Sequence, residues 1–321
     1  MSERRFKVGL ALGGGAARAM AHIGVLEALR EKDVPIDIIT GTSMGAIIGA
    51  IYATDPDTAA LREKIFSYLE SDAFKVAKFD FMKEKDAVEG EGIFFKVSQL
   101  ARRGFFYTLT MTKKAFVSEE VSEKNFAFLV DDMAIEETRI RFAAVALDLV
   151  SGQEIILHEG SLRKAMAATC AIPGILHPVE MDGRILVDGG WIDAVPVEAA
   201  YRLGADFVIG VDVSNTLNGY EELGTGLDIV FRADAITRQV LANERLRKAD
   251  VVLTPETWKI HWADFSQAAE VIRRGRKEAE AHLGEILRGI RRQRLRTLFR
   301  KAAKAEPKKG LPRPALSDLP G

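Results

Sequence analysis

The first 55 residues limit this chain to few folds. Val8 to Leu12 form an apolar run that stops at Gly13-Gly14-Gly15, and a helical stretch, ARAMAHIGVLEALREK, follows. A second short run, IDIITG, leads through a sharp turn into another helical pattern from about Met44 to Ala53. Short apolar strands alternating with helices of ten or more residues predict a parallel α/β sheet, because parallel neighbours need a crossover helix. Strand patterns return in IRFAAVALDLV, EIILHEG and ADFVIGVDVS, and PVEMDGRILVDGG reads as a hairpin turning at Asp182 and Gly183. Between Thr58 and Arg139 the pattern changes, and 11 of the 17 phenylalanines fall between Phe66 and Phe128. We read 58–139 as a Phe-rich helical insert in the sheet order. After Asn218 the spacing is helical, over IVFRADAITRQVLANERLRKA and again from about Ser266 to Ala303. The expected organisation is an α/β unit over 1–218, a helical C-terminal extension over 219–304 and a loose Pro-rich tail over 305–321.

Composition removes several classes. Hydrophobic residues make up 47% of the chain, enough to fill a substantial core. Lys plus Arg number 45 against 46 Asp plus Glu, so no global field marks a nucleic-acid binder. A single cysteine, Cys170, rules out an intrachain disulfide scaffold. Arg4, Arg5 and Lys7 ahead of an apolar run superficially resemble a leader, but Arg18 interrupts that run, which suits a strand and loop better. The longest uncharged stretch, Ile38 to Thr54, has 17 residues, several of them Gly, Ser or Thr, and falls short of a spanning helix of about 20 apolar residues. The expectation is a soluble, cytoplasmic protein. From Val271 to Gly321 the net charge is +10, and Leu283, Ile286, Leu287, Ile290, Leu298 and Phe299 recur at helical spacing. Such a helix suits peripheral contact with an anionic membrane, at the inner surface, or packing on the α/β unit with its basic face in water; the second is favoured.

Two glycine-rich segments carry chemistry. Gly41-Thr42-Ser43-Met44-Gly45 matches the G-x-S-x-G elbow, in which a serine on a tight strand-to-helix turn projects its hydroxyl above the sheet. Gly13, Gly14 and Gly15 end a strand and open a helix, so their N–H groups are candidates to stabilise an oxyanion. A dinucleotide fingerprint is a poorer reading, since Arg18 stands where its third glycine belongs. None of His22, His158, His177, His261 or His282 lies in a triad context, and each reads as a surface or packing residue. Asp188, with Gly189 and Gly190 behind it at a strand end, is the better base, because glycines allow close approach to another loop. Cys170 reads as a small packing residue. Asp148 either supports the site loops or caps a strand, and the Phe-rich insert either offers apolar walls for a pocket or lid or packs as core.

Together these pieces resemble the patatin-like phospholipase family, in its bacterial branch related to neuropathy target esterase. Four blocks occur in order: GGGAAR at 13–18, GTSMG at 41–45, ATCAIP at 168–173 and DGG at 188–190. The resemblance covers Lys7 to about Asp212. It implies a three-layer α/β/α fold with a mainly parallel central sheet, and a catalytic Ser43/Asp188 dyad. It further implies an oxyanion hole at Gly13, Gly14 and Gly15, with Arg18 fixing that loop and Gly41, Gly45, Gly189 and Gly190 in support. Substrates would be acyl esters of phospholipids or lysophospholipids, hydrolysed without metal or cofactor. Ala19 stands where a glycine usually follows the loop arginine, and Asp193 and Ala194 replace paired asparagines. Those departures keep a weakly active lipid-binding or scaffolding protein open as an alternative, beside a short-chain esterase or thioesterase. The oligomeric state is not legible.

Overall fold

Leu10, Leu12, Ile39, Phe207 and Ile209 are buried on one side of a sheet, and Ala11, Ile38, Ala143 and Val208 on the other, so strands here must be covered twice. The computed structural model describes residues 5–76, 115–214 and 224–305, and of 298–305 only the helical backbone. Its strands are β1 (Val8–Leu12), β2 (Ile38–Gly41), β3 (Arg141–Asp148), β4 (Glu154–Leu157), β5 (Val179–Met181), β6 (Arg184–Asp188), β7 (Phe207–Val211) and β8 (Val251–Leu253). They form one sheet in the order β5-β6-β3-β2-β1-β7-β8, with β4 also paired to β3. The centre, from β3 through β2, β1 and β7 to β8, is parallel. β4, β5 and β6 join antiparallel at one side.

Helices cover both faces. On one lie α1 (Ala21–Glu31), α2 (Met44–Thr54), α3 (Thr58–Glu70), α4 (Asp72–Val76), α5 (Glu119–Leu129) and α6 (Leu162–Thr169). The other face is packed by Val197 and Ala200 of α7 (Val197–Arg202). The chain is therefore a mixed α/β protein with a mostly parallel central sheet between helices. The hairpin falls where the sequence places it: Asp182 and Gly183 both take positive φ, 51° and 75°, as the two-residue turn matching strand twist requires. Asp148 proves to be a fastener of that edge. Its carboxylate accepts from Val150 N–H, Ser151 Oγ and Ile185 N–H, tying β3 to β6.

The C-terminal third departs from the expected organisation. It holds α8 (Gly226–Leu246) and α9 (Ala268–Ala305), but β8 lies between them and extends the sheet beyond residue 218. Three residues are too few to show a strand period. α9 is packed on the domain through its first half, with Val271, Ile272, Ala279 and Ile286 buried. A Cβ on Gly275 would lie 1.9 Å from Ala21 O, and one on Gly24 would lie 1.9 Å from Ile272 O, so the backbones of α9 and α1 touch. Among the described residues no helix is long and apolar enough to cross a membrane. Phe79, Phe81, Phe94, Phe95, Phe105, Phe106 and the tail over 306–321 lie outside the described residues.

Candidate active site

β2 ends in Gly41, and the chain must reverse into α2 within two residues. A Cβ on Gly41 would fall 2.5 Å from Ala46 Cα, and one on Gly45 would fall 2.4 Å from Gly13 O and 2.5 Å from Leu12 O. Glycine is therefore required at both positions. The turn drives Ser43 to φ 54°, ψ −130°, outside the regions a serine prefers. Surrounding bonds hold it there. Ser43 N–H donates to Thr169 Oγ1 at 2.9 Å, Thr169 Oγ1 donates to Val145 O at 2.6 Å, and Thr42 Oγ1 donates to Asp193 O at 2.8 Å.

Asp188 ends β6 and faces this turn. Its Oδ1 accepts from Gly190 N–H at 2.7 Å, and the Ser43 side chain lies near enough to act on its carboxylate. A Cβ on Gly189 would lie 2.3 Å from Val145 O, which explains the glycine beside the aspartate. Burial pushes the Asp188 carboxyl up to about 6, against the opposing pull of Gly190 N–H, the Ser43 hydroxyl and the Arg238 charge. It is still ionised at neutral pH. Cys170 is also buried beside Ser43, and burial together with the Asp188 charge raises its thiol well above the usual range. That keeps it a protonated packing residue.

The three loop glycines are not equivalent in the fold. Gly13 N–H donates to Val211 O and Gly14 N–H to Ala194 O, both at 3.0 Å, so these two amides are spent on holding the loop. Among the described residues, Gly15 and Ala16 N–H have no acceptor, and Ala16 lines the same cleft as Ser43. Among the described residues the amides of this loop left without an acceptor are therefore those of Gly15 and Ala16. Ala16 takes φ 47°, in the left-handed region that favours glycine. Arg18 reaches the C-terminal third, its Nε donating to Ile260 O at 2.7 Å. His22 plays a part the sequence did not suggest. It is fully buried with Nε2 2.7 Å from Gly13 O, and burial lowers it to about 4, so the neutral ring donates to that carbonyl.

Ser43 opens into a cleft with hydrophobic walls. Its walls include Met44, Ile47, Phe74, Leu129, Leu176 and Phe265. Phe74 and Phe126 come from the predicted Phe-rich segment, whereas Phe66 and Phe116 pack on the core. Phe265 and Trp262 are supplied by the C-terminal third, and the Phe74 and Phe265 rings meet edge to face at 5.2 Å. None of the five histidines lines the cleft.

Asp193 marks a second buried group behind the elbow. It is 1% exposed, and Arg245 of α8 bonds its Oδ2 at 3.1 Å while also pairing with Glu154. Burial, then the Glu154 charge, raises Asp193 to about 7, although Arg245 pulls the other way. The substitution at this position is thus accommodated by a cation from outside the four motif blocks. Arg238, on the same helix, lies over the Trp191 ring at 4.7 Å.

A strained serine at a strand-to-helix elbow, a buried aspartate at the end of β6 and a glycine loop thus lie together in a mixed α/β fold. Residues 10–201 match the family model described as patatin-like phospholipase. An uncharacterized NTE family protein of Mycobacterium tuberculosis is 32% identical over 216 residues, 67% of this chain and 50% of that protein. The lysophospholipase NTE1 of Coccidioides immitis is 32% identical over 225 residues, covering 68% of this chain and 12% of its own length. Among solved structures, VipD from Legionella pneumophila aligns with 12% identity and a TM-score of 0.48, over 88% of this chain and 67% of its own. The chain belongs to the patatin-like phospholipase family. It spans half or less of the length of these two curated relatives.

Proposed function

We propose that this protein is a serine acyl hydrolase for lipid esters, of the phospholipase A or lysophospholipase type, working through a Ser43/Asp188 dyad. The observation that carries the reading is the strained Ser43 elbow, which opens into a hydrophobic-walled cleft with the buried Asp188 carboxylate near its side chain. In the reaction, Ser43 Oγ attacks the ester carbonyl and passes its proton to Asp188 as the C–O bond forms. Charge developing on the carbonyl oxygen is received by Gly15 and Ala16 N–H, donors already fixed by Arg18 and His22. Collapse returns the proton from Asp188 to the leaving alcohol. Water, deprotonated by the same carboxylate, then frees the fatty acid from Ser43. The balance closes without metal or cofactor.

The family match and the relatives named lysophospholipases support a lipid substrate, and the cleft supports an acyl chain rather than a bulky polar group. Hydrolysis of esters from two to sixteen acyl carbons, with Ser43→Ala and Asp188→Asn as controls, tests the proposal. Long-chain turnover lost in both variants is the expected result. Activity surviving Ser43→Ala would end the mechanism, a rate maximum at two carbons would favour a short-chain esterase, and a wild type inert on every ester would favour a binding protein.

A further inference from the structure

Three segments of the candidate site meet on one short stretch of chain. Asp193 N–H donates to Gly189 O at 2.8 Å, beside Asp188, and Asp193 O accepts from Thr42 Oγ1 at 2.8 Å, beside Ser43. Ala194 O accepts from Gly14 N–H at 3.0 Å, and Pro196 O accepts from Thr40 Oγ1 of β2 at 2.8 Å. Residues 193–196 therefore tie the end of β6, the serine elbow and the glycine loop together. The side chain at the head of this stretch is costly to bury, since Asp193 carries a carboxylate with 1% exposure whose Oδ1 has no partner among the described residues. One nitrogen from outside the stretch compensates it. Nη1 of Arg245 bonds Asp193 Oδ2 at 3.1 Å and also pairs with Glu154 of β4. None of Arg245, Asp193 and Glu154 lines the cleft.

We infer that Arg245 is a positioning residue for acyl transfer, holding the Asp193 side chain so that residues 193–196 keep Ser43 and the glycine loop in register; this rests on the hydrolase reading above. Arg245 lies beyond residues 10–201, so the family match does not include it. Without its cation an ionised Asp193 is drawn towards water, and the stretch that carries it moves too. The carbonyls that receive Thr42 and Gly14 belong to that stretch. A shift of about 1 Å at the reacting atoms can cost about 100-fold in rate, while the walls that would bind the acyl chain are untouched. The loss therefore falls on kcat rather than KM. It also follows the charge of Asp193, which faces Glu154 of β4 and Glu198 of α7 as well as Arg245 of α8. Glu198 is itself paired with Arg202 and Lys248.

Kinetics of full-length Arg245→Met on the best ester of the chain-length series, compared with wild type at each pH from 6 to 9, test the inference. Its kcat should fall at least about 10-fold at pH 9, with KM within about 2-fold of wild type. The loss should be smaller at pH 6, where Asp193 holds a proton. Adding Asp193→Asn should restore kcat and level the profile, because no charge remains to be drawn out. Arg245→Lys should keep the wild-type rate, since its ammonium can replace the one nitrogen that makes both bonds. Circular dichroism checks that each variant is folded at the assay temperature. If Arg245→Met is not, Arg245→Met with Glu154→Gln, which strands one charge fewer, takes its place. A wild-type kcat without Arg245, a loss equal at pH 6 and pH 9, a loss that Asp193→Asn does not relieve, or a lysine variant as slow as the methionine one overturns the inference and leaves the hydrolase reading standing. A wild type inert on every ester removes that reading and this inference with it.

Discussion

Replacing Gly45 by alanine tests whether the elbow and the glycine loop work as one geometric unit. The added methyl group would sit 2.4 Å from Gly13 O and 2.5 Å from Leu12 O, about 1 Å inside ordinary contact. Both obstacles are backbone, and Gly13 is itself held by Val211 O and by His22. No side-chain rotation relieves the clash, so α2 and the loop must move apart. Overpacking of this kind costs about 3 kcal/mol at the upper end, offset by about 1 kcal/mol because alanine is the better helix former. The net of about 2 kcal/mol should lower Tm by roughly 3 °C in a protein of this size. The rate should fall further than stability does, because a displacement of about 1 Å between Ser43 and the Gly15 and Ala16 amides can cost about 100-fold. The assay is kcat on the best ester of the chain-length series, beside thermal unfolding followed by circular dichroism. Gly226→Ala, where nothing lies within 4 Å of the added Cβ, serves as the control. A Gly45→Ala enzyme with wild-type kcat and Tm would refute the coupling.

Other expectations follow from the buried acids and the helix contacts. Asp188 must be ionised to accept the Ser43 proton, so kcat/KM should rise with pH through about 6 and level off above it; a profile flat down to pH 4.5 would remove Asp188 as base. Asp193 is raised from the ordinary 3.8 to about 7, so the folded state holds an extra proton across that interval. Its contribution to stability is complete below about pH 4 and is lost as pH rises through about 7. Asp193→Asn removes this term, and its Tm should gain on wild type between pH 5 and pH 8; an equal gap at both values contradicts the assignment. Gly275→Ala would place a methyl group 1.9 Å from Ala21 O, and should cost about 2–4 kcal/mol by separating α9 from α1. Urea unfolding with an unchanged midpoint would show that this helix contact is dispensable.

Much of the site was readable where one local segment carries the whole signal. The elbow at 41–45 needs small residues within five positions, and the turn at Asp182 and Gly183 needs two residues with positive φ. Asp188 stood out because Gly189 and Gly190 follow it at a strand end. Which loop amides are engaged was not legible, because three consecutive glycines look equivalent in sequence. In the fold, Val211 O and Ala194 O occupy the first two amides, and those carbonyls come from distant parts of the chain. Thr169, which holds the Ser43 N–H across 126 residues, had no signal beyond lying in the ATCAIP block. Arg245 was equally hidden, since an arginine on a helix gives no indication that two buried carboxylates await it.

The C-terminal third shows the same divide. Its helices were evident from apolar spacing, but that spacing cannot say which face meets the domain. α9 uses Gly275 and its apolar row to lie against α1, while α8 turns arginines inward and leaves Ile229, Ile236 and Val240 outside. Sequence by itself determined the α/β alternation, the strained serine, the hairpin and the family, because each depends on backbone preferences and periodicity among neighbouring residues. Only the tertiary structure decided which amides stay free, what neutralises Asp193, where β8 pairs and which way α8 faces. Those outcomes depend on which distant carbonyls, carboxylates and side chains the packed sheet brings within a few ångströms, and separation along the chain carries no record of that.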